Sequence, residues 1–264
     1  MLTIAIRIAV FVGIVYIGLA ALLYFQQNRF IFPAPQQVVA PSDGYELVTL
    51  ETEDGLSLMA HWRAPDEGKP TVVHFHGNAG SLLGSAYENA LFTADGYGAL
   101  LVEYRGYGGN PGDPSEDGLK KDGRAAMAFL KARSIPLERT IIKGHSIGTG
   151  TAVNMALEHR AGALILVAPF TSVPDLIERR LPVFPLRLLI TSDFDSAAKA
   201  DNLALPVLVQ HGTADAVIPE AHGRAVSEAI AGSTYQSVAG AGHDMSADPA
   251  VQAKQLAWLV KQGL

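Results

Sequence analysis

Short apolar runs alternate with amphipathic segments over most of the chain. Helical patterns are clearest at 117–133 and 220–231, and another at 249–262 closes the chain. Strand-like runs lie between and before them, at 71–75, 99–104, 140–143, 163–168, 207–210 and 234–238. Strands that alternate with helices predict a mostly parallel sheet with helices on both faces.

Two segments depart from this alternation of strands and helices. Alternating segments at 45–51 and 56–62 flank Asp54-Gly55 and predict an antiparallel hairpin, which brings the sheet to eight strands. Residues 170–205 replace a plain crossover and include the apolar stretch 181–189. We expect this insertion to form a small cap over the carboxyl ends of the strands. An apolar cap would suit an acyl substrate, although the same residues could equally pack only on the core.

The N-terminal segment differs from the rest of the chain. Residues 8–25 are uncharged and almost wholly apolar, and as a helix they would span about 27 Å, close to the thickness of a bilayer core. A cleaved signal peptide is the alternative, but its apolar region is usually shorter and ends at a small-residue cleavage site. The sequence therefore predicts an uncleaved membrane anchor at 1–28, a linker at 29–43 and a folded domain at 44–264.

The orientation of this anchor depends on few charges. Arg7 precedes the apolar run and Arg29 follows it, which gives little bias. The free amino group adds positive charge to the N-terminal flank and favours a cytoplasmic N-terminus. We therefore expect the folded domain on the extracytoplasmic, or periplasmic, side.

Composition excludes several classes of function. The chain of 264 residues has a net charge of −6 and no long block of like charge, so no nucleic-acid partner is expected. It contains no cysteine, which excludes disulfides, thiolate catalysis and cysteine-ligated metal. No metal-ligand spacing such as H-E-x-x-H is present, and we expect neither a metal nor a cofactor.

The pattern G-x-S-x-G occurs once in a setting that gives it a mechanism, as Gly144-His145-Ser146-Ile147-Gly148. A β-branched segment precedes it and a helical segment follows it, so the serine lies on a sharp strand-to-helix turn. Glycines suit the positions where the turn has no room for side chains. The positive end of the following helix faces the same place. Ser146 is therefore predicted to be a nucleophile.

A serine nucleophile needs a base and a residue that orients the base. Asp215 follows the strand at 207–210, and His243 follows the strand at 234–238. Both would lie at the carboxyl edge of the sheet, where open α/β sheets build their sites. The chain order Ser146, Asp215, His243 is the order typical of this motif. We predict that His243 is the base and that Asp215 orients it.

Alternative residues exist for both roles. Asp193 and Asp195 lie in the cap region and are rival acids, although Asp195 could instead cap a helix that begins near Ser196. His76 is a rival base, but its early position in the chain favours a histidine that braces its own loop.

An oxyanion hole would need two backbone N–H groups, one following the nucleophile and one from the loop after an earlier strand. Ile147 provides the first. Asn78, in the loop after the strand at 71–75, provides the second.

Taken together, these motifs resemble the α/β-hydrolases, and specifically the BEM46-like group of small serine hydrolases. The resemblance covers nearly the whole chain and rests on six segments: His76-Gly77-Asn78-Ala79, Glu103-Tyr104-Arg105-Gly106-Tyr107-Gly108, Pro114-Ser115-Glu116-Asp117-Gly118-Leu119, Gly144-His145-Ser146-Ile147-Gly148, His211-Gly212 with Asp215, and Gly242-His243. It implies the α/β-hydrolase fold, with Ser146 as nucleophile, Asp215 as acid and His243 as base. Asn110 and Asp244 depart from it, because relatives often carry Ser and Asn there.

The function expected from these features is a membrane-anchored serine hydrolase. It would cleave an ester-type bond (carboxylester, lipid or thioester) through an acyl-enzyme, with a small-molecule or lipid ester as substrate. A serine peptidase of the related S33 type is the nearest alternative. A binding protein that keeps the fold without turnover is a third possibility, since fold alone does not decide function.

Overall fold

The computed structural model describes residues 2–178 and 180–264, and these form an eight-stranded sheet in the order β1-β2-β4-β3-β5-β6-β7-β8. The β1–β2 and β2–β4 pairs are antiparallel and the others are parallel, as the sequence predicted. The strands are β1 (Glu46–Glu51), β2 (Ser57–Arg63), β3 (Thr71–Phe75), β4 (Gly98–Val102), β5 (Thr140–His145), β6 (Ala163–Val167), β7 (Val207–Gly212) and β8 (Thr234–Val238).

Helices cover both faces of the sheet. They are α1 (Leu2–Ile31), α2 (Leu82–Glu88), α3 (Ala90–Ala94), α4 (Glu116–Ala132), α5 (Gly148–Glu158), α6 (Val173–Ile177), α7 (Leu186–Leu189), α8 (Ser196–Lys199), α9 (Glu220–Ala229) and α10 (Pro249–Lys261). Because side chains alternate across a strand, neighbours such as Val72 and Val73 belong to separate apolar clusters on opposite faces. Strands buried on both faces explain the continuous apolar runs in the sequence.

The N-terminal helix extends beyond the segment predicted as the anchor. It ends at Ile31, inside the predicted linker, and the next residue, Phe32, is buried with its ring 6.1 Å from that of Phe194. Further along, the Gly108 N–H donates to the carbonyl of Pro35 at 2.8 Å. The segment after α1 therefore packs on the folded domain.

The predicted cap region contains three short helices, α6, α7 and α8; one of its residues, Arg179, lies outside the described residues. Asp195 is the N-cap of α8, where its Oδ1 accepts from the Ala198 N–H at 3.0 Å. The alternative interpretation of Asp195 as a helix cap thus matches its position.

Candidate active site

Ser146 lies on the turn between β5 and α5, and its backbone is in the left-handed region with φ of +52°. Non-glycine residues rarely adopt this conformation, and it is often retained at functional sites. The turn is tightly packed on both sides. A Cβ added at Gly148 would collide with the carbonyl of Phe75, and one at Gly144 would lie 2.6 Å from the Gly148 carbonyl oxygen. Only glycine fits at these two positions, so the turn holds the serine in place.

The structure brings the three predicted residues of the triad together. The Ser146 hydroxyl lies 2.9 Å from His243 Nε2, and His243 Nδ1 lies 2.8 Å from Asp215 Oδ2. The three residues come from segments at the carboxyl ends of β5, β7 and β8. This is the edge of the sheet at which they were expected.

The Asp215 carboxylate is buried and well supplied with donors. Its Oδ1 accepts from the N–H groups of Val217 and Ile218 at 2.8 and 2.9 Å. Burial alone would raise the pKa of Asp215, but the hydrogen bonds from His243 and these N–H groups outweigh it and lower the pKa. An ionised Asp215 fixes the proton of His243 on Nδ1. The Nε2 lone pair then faces Ser146.

A second histidine lies beside Asp215. His211 Nε2 donates to the carbonyl of Ile218 at 2.9 Å and lies 3.4 Å from Asp215 Oδ2. Burial lowers the pKa of His211 more than the nearby charges raise it. This neutral imidazole braces the loop that carries the acid.

The loop after β3 passes directly against the serine. A Cβ at Gly77 would lie 3.4 Å from Ser146 Cβ. The next residue, Asn78, is held through its side chain, whose Oδ1 accepts from the Tyr107 hydroxyl at 3.0 Å. Across the described residues, the backbone N–H groups of Asn78 and Ile147 have no protein acceptor. Both are thus free to bind a ligand oxygen.

His76, the rival base, is buried and occupied elsewhere. Its Nδ1 lies 2.7 Å from the Gly77 carbonyl oxygen, and its Nε2 lies 2.8 Å from Glu103 Oε1. These contacts are those of a residue that braces its loop.

Asn110 and Asp244, which depart from the pattern of relatives, have different surroundings. The Asn110 side chain accepts from the Met59 N–H at 2.8 Å and donates to the Glu103 carbonyl at 3.0 Å, so it ties the glycine-rich turn to β2. Asp244 lines the cavity beside the triad.

A buried polar network behind the triad was not predicted from the sequence. His145 Nε2 donates to the main-chain carbonyl of His243 at 3.0 Å, and His145 Nδ1 lies 3.3 Å from Glu88 Oε1. The other carboxylate oxygen of Glu88 lies 3.2 Å from His74 Nε2. Lys143 donates to the Glu88 main-chain carbonyl at 2.6 Å. The network links α2 to the segment that carries His243.

Charge in this network is favoured on Glu88, His145 and Lys143. Burial opposes charge on Glu88 and on His145, but their mutual attraction raises the pKa of His145 and holds the pKa of Glu88 well below its usual range. Burial lowers the pKa of His74 to about 4 and that of Lys143 to about 8. The network therefore favours a charged Glu88–His145 pair beside a neutral His74, and Lys143 is still mostly protonated at pH 7.

A cavity of about 510 Å³ opens beside the triad. Ser146 and His243 lie on its wall, together with apolar side chains from α1, α6 and the cap, among them Leu23, Ile31, Leu176, Ile177 and Ile190. Within residues 2–178 and 180–264, no group of three or more His, Asp or Glu side chains is arranged to hold a metal ion. The cavity suits a ligand with an apolar portion.

Comparison with known proteins agrees with this architecture. The family model for serine aminopeptidase, S33, matches residues 66–192. The protein bem46 of Schizosaccharomyces pombe is 32% identical over 244 residues, which cover 80% of each chain. The lysophosphatidylserine lipase ABHD12 of Danio rerio is 33% identical over 171 residues, 57% of this chain and 44% of that protein. The structure of the Pyrococcus furiosus esterase Pf2001 superposes with a TM-score of 0.70 at 19% identity, over 87% of this chain and 98% of that one.

The sheet order, the serine turn and the loops at the carboxyl edge define an α/β-hydrolase. The esterase structure supports the fold alone, because its identity is low, whereas the bem46 relationship extends over most of both chains. The chain belongs to the BEM46-like group of this superfamily, as its motifs predicted.

Proposed function

We propose that the protein is a serine hydrolase that cleaves ester-type bonds through an acyl-enzyme. The observation that carries this proposal is the hydrogen-bonded chain from Ser146 through His243 to Asp215, with contacts of 2.9 and 2.8 Å. This chemistry requires a nucleophile and a base within hydrogen-bond reach of each other, with the base oriented by a third group.

Each step assigns a role to a named group. His243 Nε2 accepts the hydroxyl proton as Ser146 Oγ attacks the ester carbonyl, and the charge that develops on the carbonyl oxygen is held by the Asn78 and Ile147 N–H groups. Such donors contribute roughly 3–4 kcal/mol each. His243 then returns the proton to the departing alcohol or thiol. Water attacks the acyl-enzyme with His243 again as base, which releases the acid and restores Ser146.

We also propose that α1 anchors the protein in a membrane, with the folded domain on the extracytoplasmic side. The helix has 30 residues and contains an 18-residue window with a mean hydropathy of 2.5, which is long and apolar enough to cross a bilayer. The side is testable because the chain lacks cysteine. A Tyr87→Cys variant in intact cells should react with a membrane-impermeant maleimide. Reaction only after permeabilisation would place the domain in the cytoplasm.

A peptidase is the second candidate, and the match to the serine aminopeptidase family favours it. The substrate of an aminopeptidase carries a free, charged amino group next to the scissile bond. The wall of the cavity is largely apolar, with Asp244 as a carboxylate on it, and one relative is named as a lipase. We therefore favour ester hydrolysis.

The test uses the full chain in detergent micelles with p-nitrophenyl esters of increasing acyl length, beside aminoacyl p-nitroanilides. Ester turnover that falls about a million-fold in Ser146→Ala would support the proposal. Turnover of the anilides alone would favour the peptidase. A folded protein that neither hydrolyses any substrate nor reacts with a fluorophosphonate would favour the binding protein.

A further inference from the structure

The N-terminal helix forms part of the wall of the active-site cavity. Leu23, Gln27, Phe30 and Ile31 of α1 line the same cavity as Ser146. A helix that served only as a tether would not need to line the cavity that contains Ser146. These residues lie in the last third of α1, so the anchor and the site are joined.

Specific contacts attach α1 to the cap. Gln27 is only 4% exposed, in a helix whose side chains are otherwise largely exposed. Its Nε2 donates to the Leu189 carbonyl at 3.0 Å, and its Oε1 accepts from the Thr191 N–H at 2.6 Å. A buried side chain with both its donor and its acceptor satisfied fixes the position of the two segments.

A second contact lies further down the helix. The Tyr16 hydroxyl donates to the Val183 carbonyl at 3.0 Å, and the Tyr16 ring stacks on Phe184 at 5.2 Å. From Tyr16 to Ile31 the helix rises about 22 Å, so the cap follows α1 over half its length.

This contact fixes the depth of the cap. A bilayer core needs about 20 apolar helical residues, and Tyr16 lies in the middle of the uncharged run 8–25. A segment that touches Tyr16 therefore reaches the level of the acyl chains. The cap exposes apolar side chains that suit this depth, because Val183 and Leu188 are 69% and 81% exposed. The guanidinium of the neighbouring Arg187 is paired with Asp175 at 2.6 Å.

We propose that the tip of the cap is immersed in the bilayer and that the acyl chain of a membrane-resident ester reaches Ser146 along the wall formed by α1 and α6. This inference rests on the proposed function and narrows the substrate to esters with a long acyl chain. Because the acyl chain leaves lipid and not water, the hydrophobic effect adds little to its binding, and the wall selects the chain by shape and packing. Leu23 on α1 and Ile177 on α6 act as determinants of acyl length.

The first test fills the wall with a larger side chain. Leu23→Trp in the full chain should lower kcat/KM for p-nitrophenyl palmitate by about tenfold or more, with p-nitrophenyl butyrate changed by less than about twofold, since a larger side chain on the wall obstructs a long acyl chain more than a short one. Ile177→Trp tests the α6 part of the wall in the same way. Leu22→Trp is the matched control, because Leu22 is 53% exposed and does not line the cavity.

The outcomes separate this inference from the proposed function. The acyl path would be overturned if a wall variant lowered kcat/KM equally for both esters, or if neither wall variant lowered kcat/KM for palmitate. In either case the Ser146-dependent hydrolysis would remain. Absence of Ser146-dependent hydrolysis of both esters in the unaltered protein would instead remove the proposed function.

The second test measures depth directly and does not depend on activity. A Val183→Cys variant carrying an environment-sensitive fluorophore is reconstituted into phosphatidylcholine vesicles that contain brominated lipid. Leu47→Cys on β1, where Leu47 is 55% exposed, is the control. Strong quenching at 183 with little at 47 is expected. Equal quenching at the two positions would contradict immersion of the cap.

Discussion

The ring of His145 holds His243, the proposed base, through a hydrogen bond from His145 Nε2 to the His243 main-chain carbonyl at 3.0 Å. With Nε2 committed as a donor, the contact of Nδ1 with the Glu88 carboxylate at 3.3 Å requires a second ring proton. The residue next to the proposed nucleophile in sequence is therefore a cation that positions the proposed base.

The Glu88–His145 pair should make stability depend on pH. The pKa of His145 is raised, so its contribution is complete below the ordinary value of 6.5 and is lost as pH rises through the raised pKa. The pKa of Glu88 is lowered, so its contribution is present above 4.5 and is lost as pH falls through the lowered pKa. Urea unfolding should show the largest difference between the unaltered protein and Glu88→Gln between these two values. A difference that does not vary with pH would contradict the charged pair.

The same variant tests the positioning role in catalysis. Glu88→Gln should lower kcat for a short ester about tenfold with little change in KM, because misplacing the base affects the transition state more than substrate binding. The control is Glu46→Gln on β1, which leaves the network intact. A change in KM alone would indicate that Glu88 acts on substrate binding.

The two candidate acids can be separated by matched substitutions. Asp215→Asn should reduce kcat by about ten-thousand-fold, because the amide favours the wrong tautomer of His243. Asp195→Asn should change kcat by less than about twofold, since asparagine also caps helices well. Kinetics with one short ester on both variants checks this. A larger fall in kcat in Asp195→Asn than in Asp215→Asn would assign the role of the acid to Asp195.

The left-handed backbone at Ser146 should appear in stability measurements. A non-glycine residue in this region costs about 1–3 kcal/mol of stability, and glycine avoids this cost. Part of the resulting gain is offset because glycine has greater conformational entropy in the unfolded state. We expect Ser146→Gly to be about 1 kcal/mol more stable than Ser146→Ala, with both inactive. Denaturant unfolding of the two variants measures the difference. Equal stability would show that the turn is not strained.

A buried ion pair under the glycine-rich turn gives a further test of stability. Arg105 Nε donates to Asp122 Oδ1 at 2.8 Å, and the Asp122 side chain has no exposed surface. Arg105→Met should destabilise the protein by about 3–5 kcal/mol, because it leaves a buried charge without its partner. The double variant Arg105→Met/Asp122→Leu should lose less stability than the single variant Arg105→Met. A larger loss of stability in the double variant would mean that Asp122 stabilises the fold through its other contact, in which Oδ2 accepts from the Arg105 backbone N–H at 2.9 Å.

The sequence predicted those parts of the site that depend on local patterns. Ser146 and Asp215 follow strands with a strong apolar signal and His243 follows the weaker strand pattern at 234–238, and the structure places all three within hydrogen-bond reach. The reason is general, because parallel strands carry the residues after them to one edge of the sheet.

The parts that the sequence did not reveal depend on contacts between distant segments. Glu88 lies in α2, a short helix within a polar stretch, and only the fold brings it to His145. Gln27 resembled the polar flank of an apolar run, yet it contacts Leu189 and Thr191 of the cap. Neither position carries a periodic signal that would distinguish it from a solvated side chain.

The direct attachment of Gln27 to the cap also changes the kinetics to be expected of an anchored enzyme. A tether with a hinge would let the catalytic domain swivel and collect substrate from solution in three dimensions. If α1 is the anchor that we propose, a helix that continues without interruption into the cavity wall would hold the serine at one height and one orientation over the lipid surface. The concentration that governs turnover is then the mole fraction of ester in the membrane, and diluting the substrate with inert lipid should slow the reaction at constant bulk concentration.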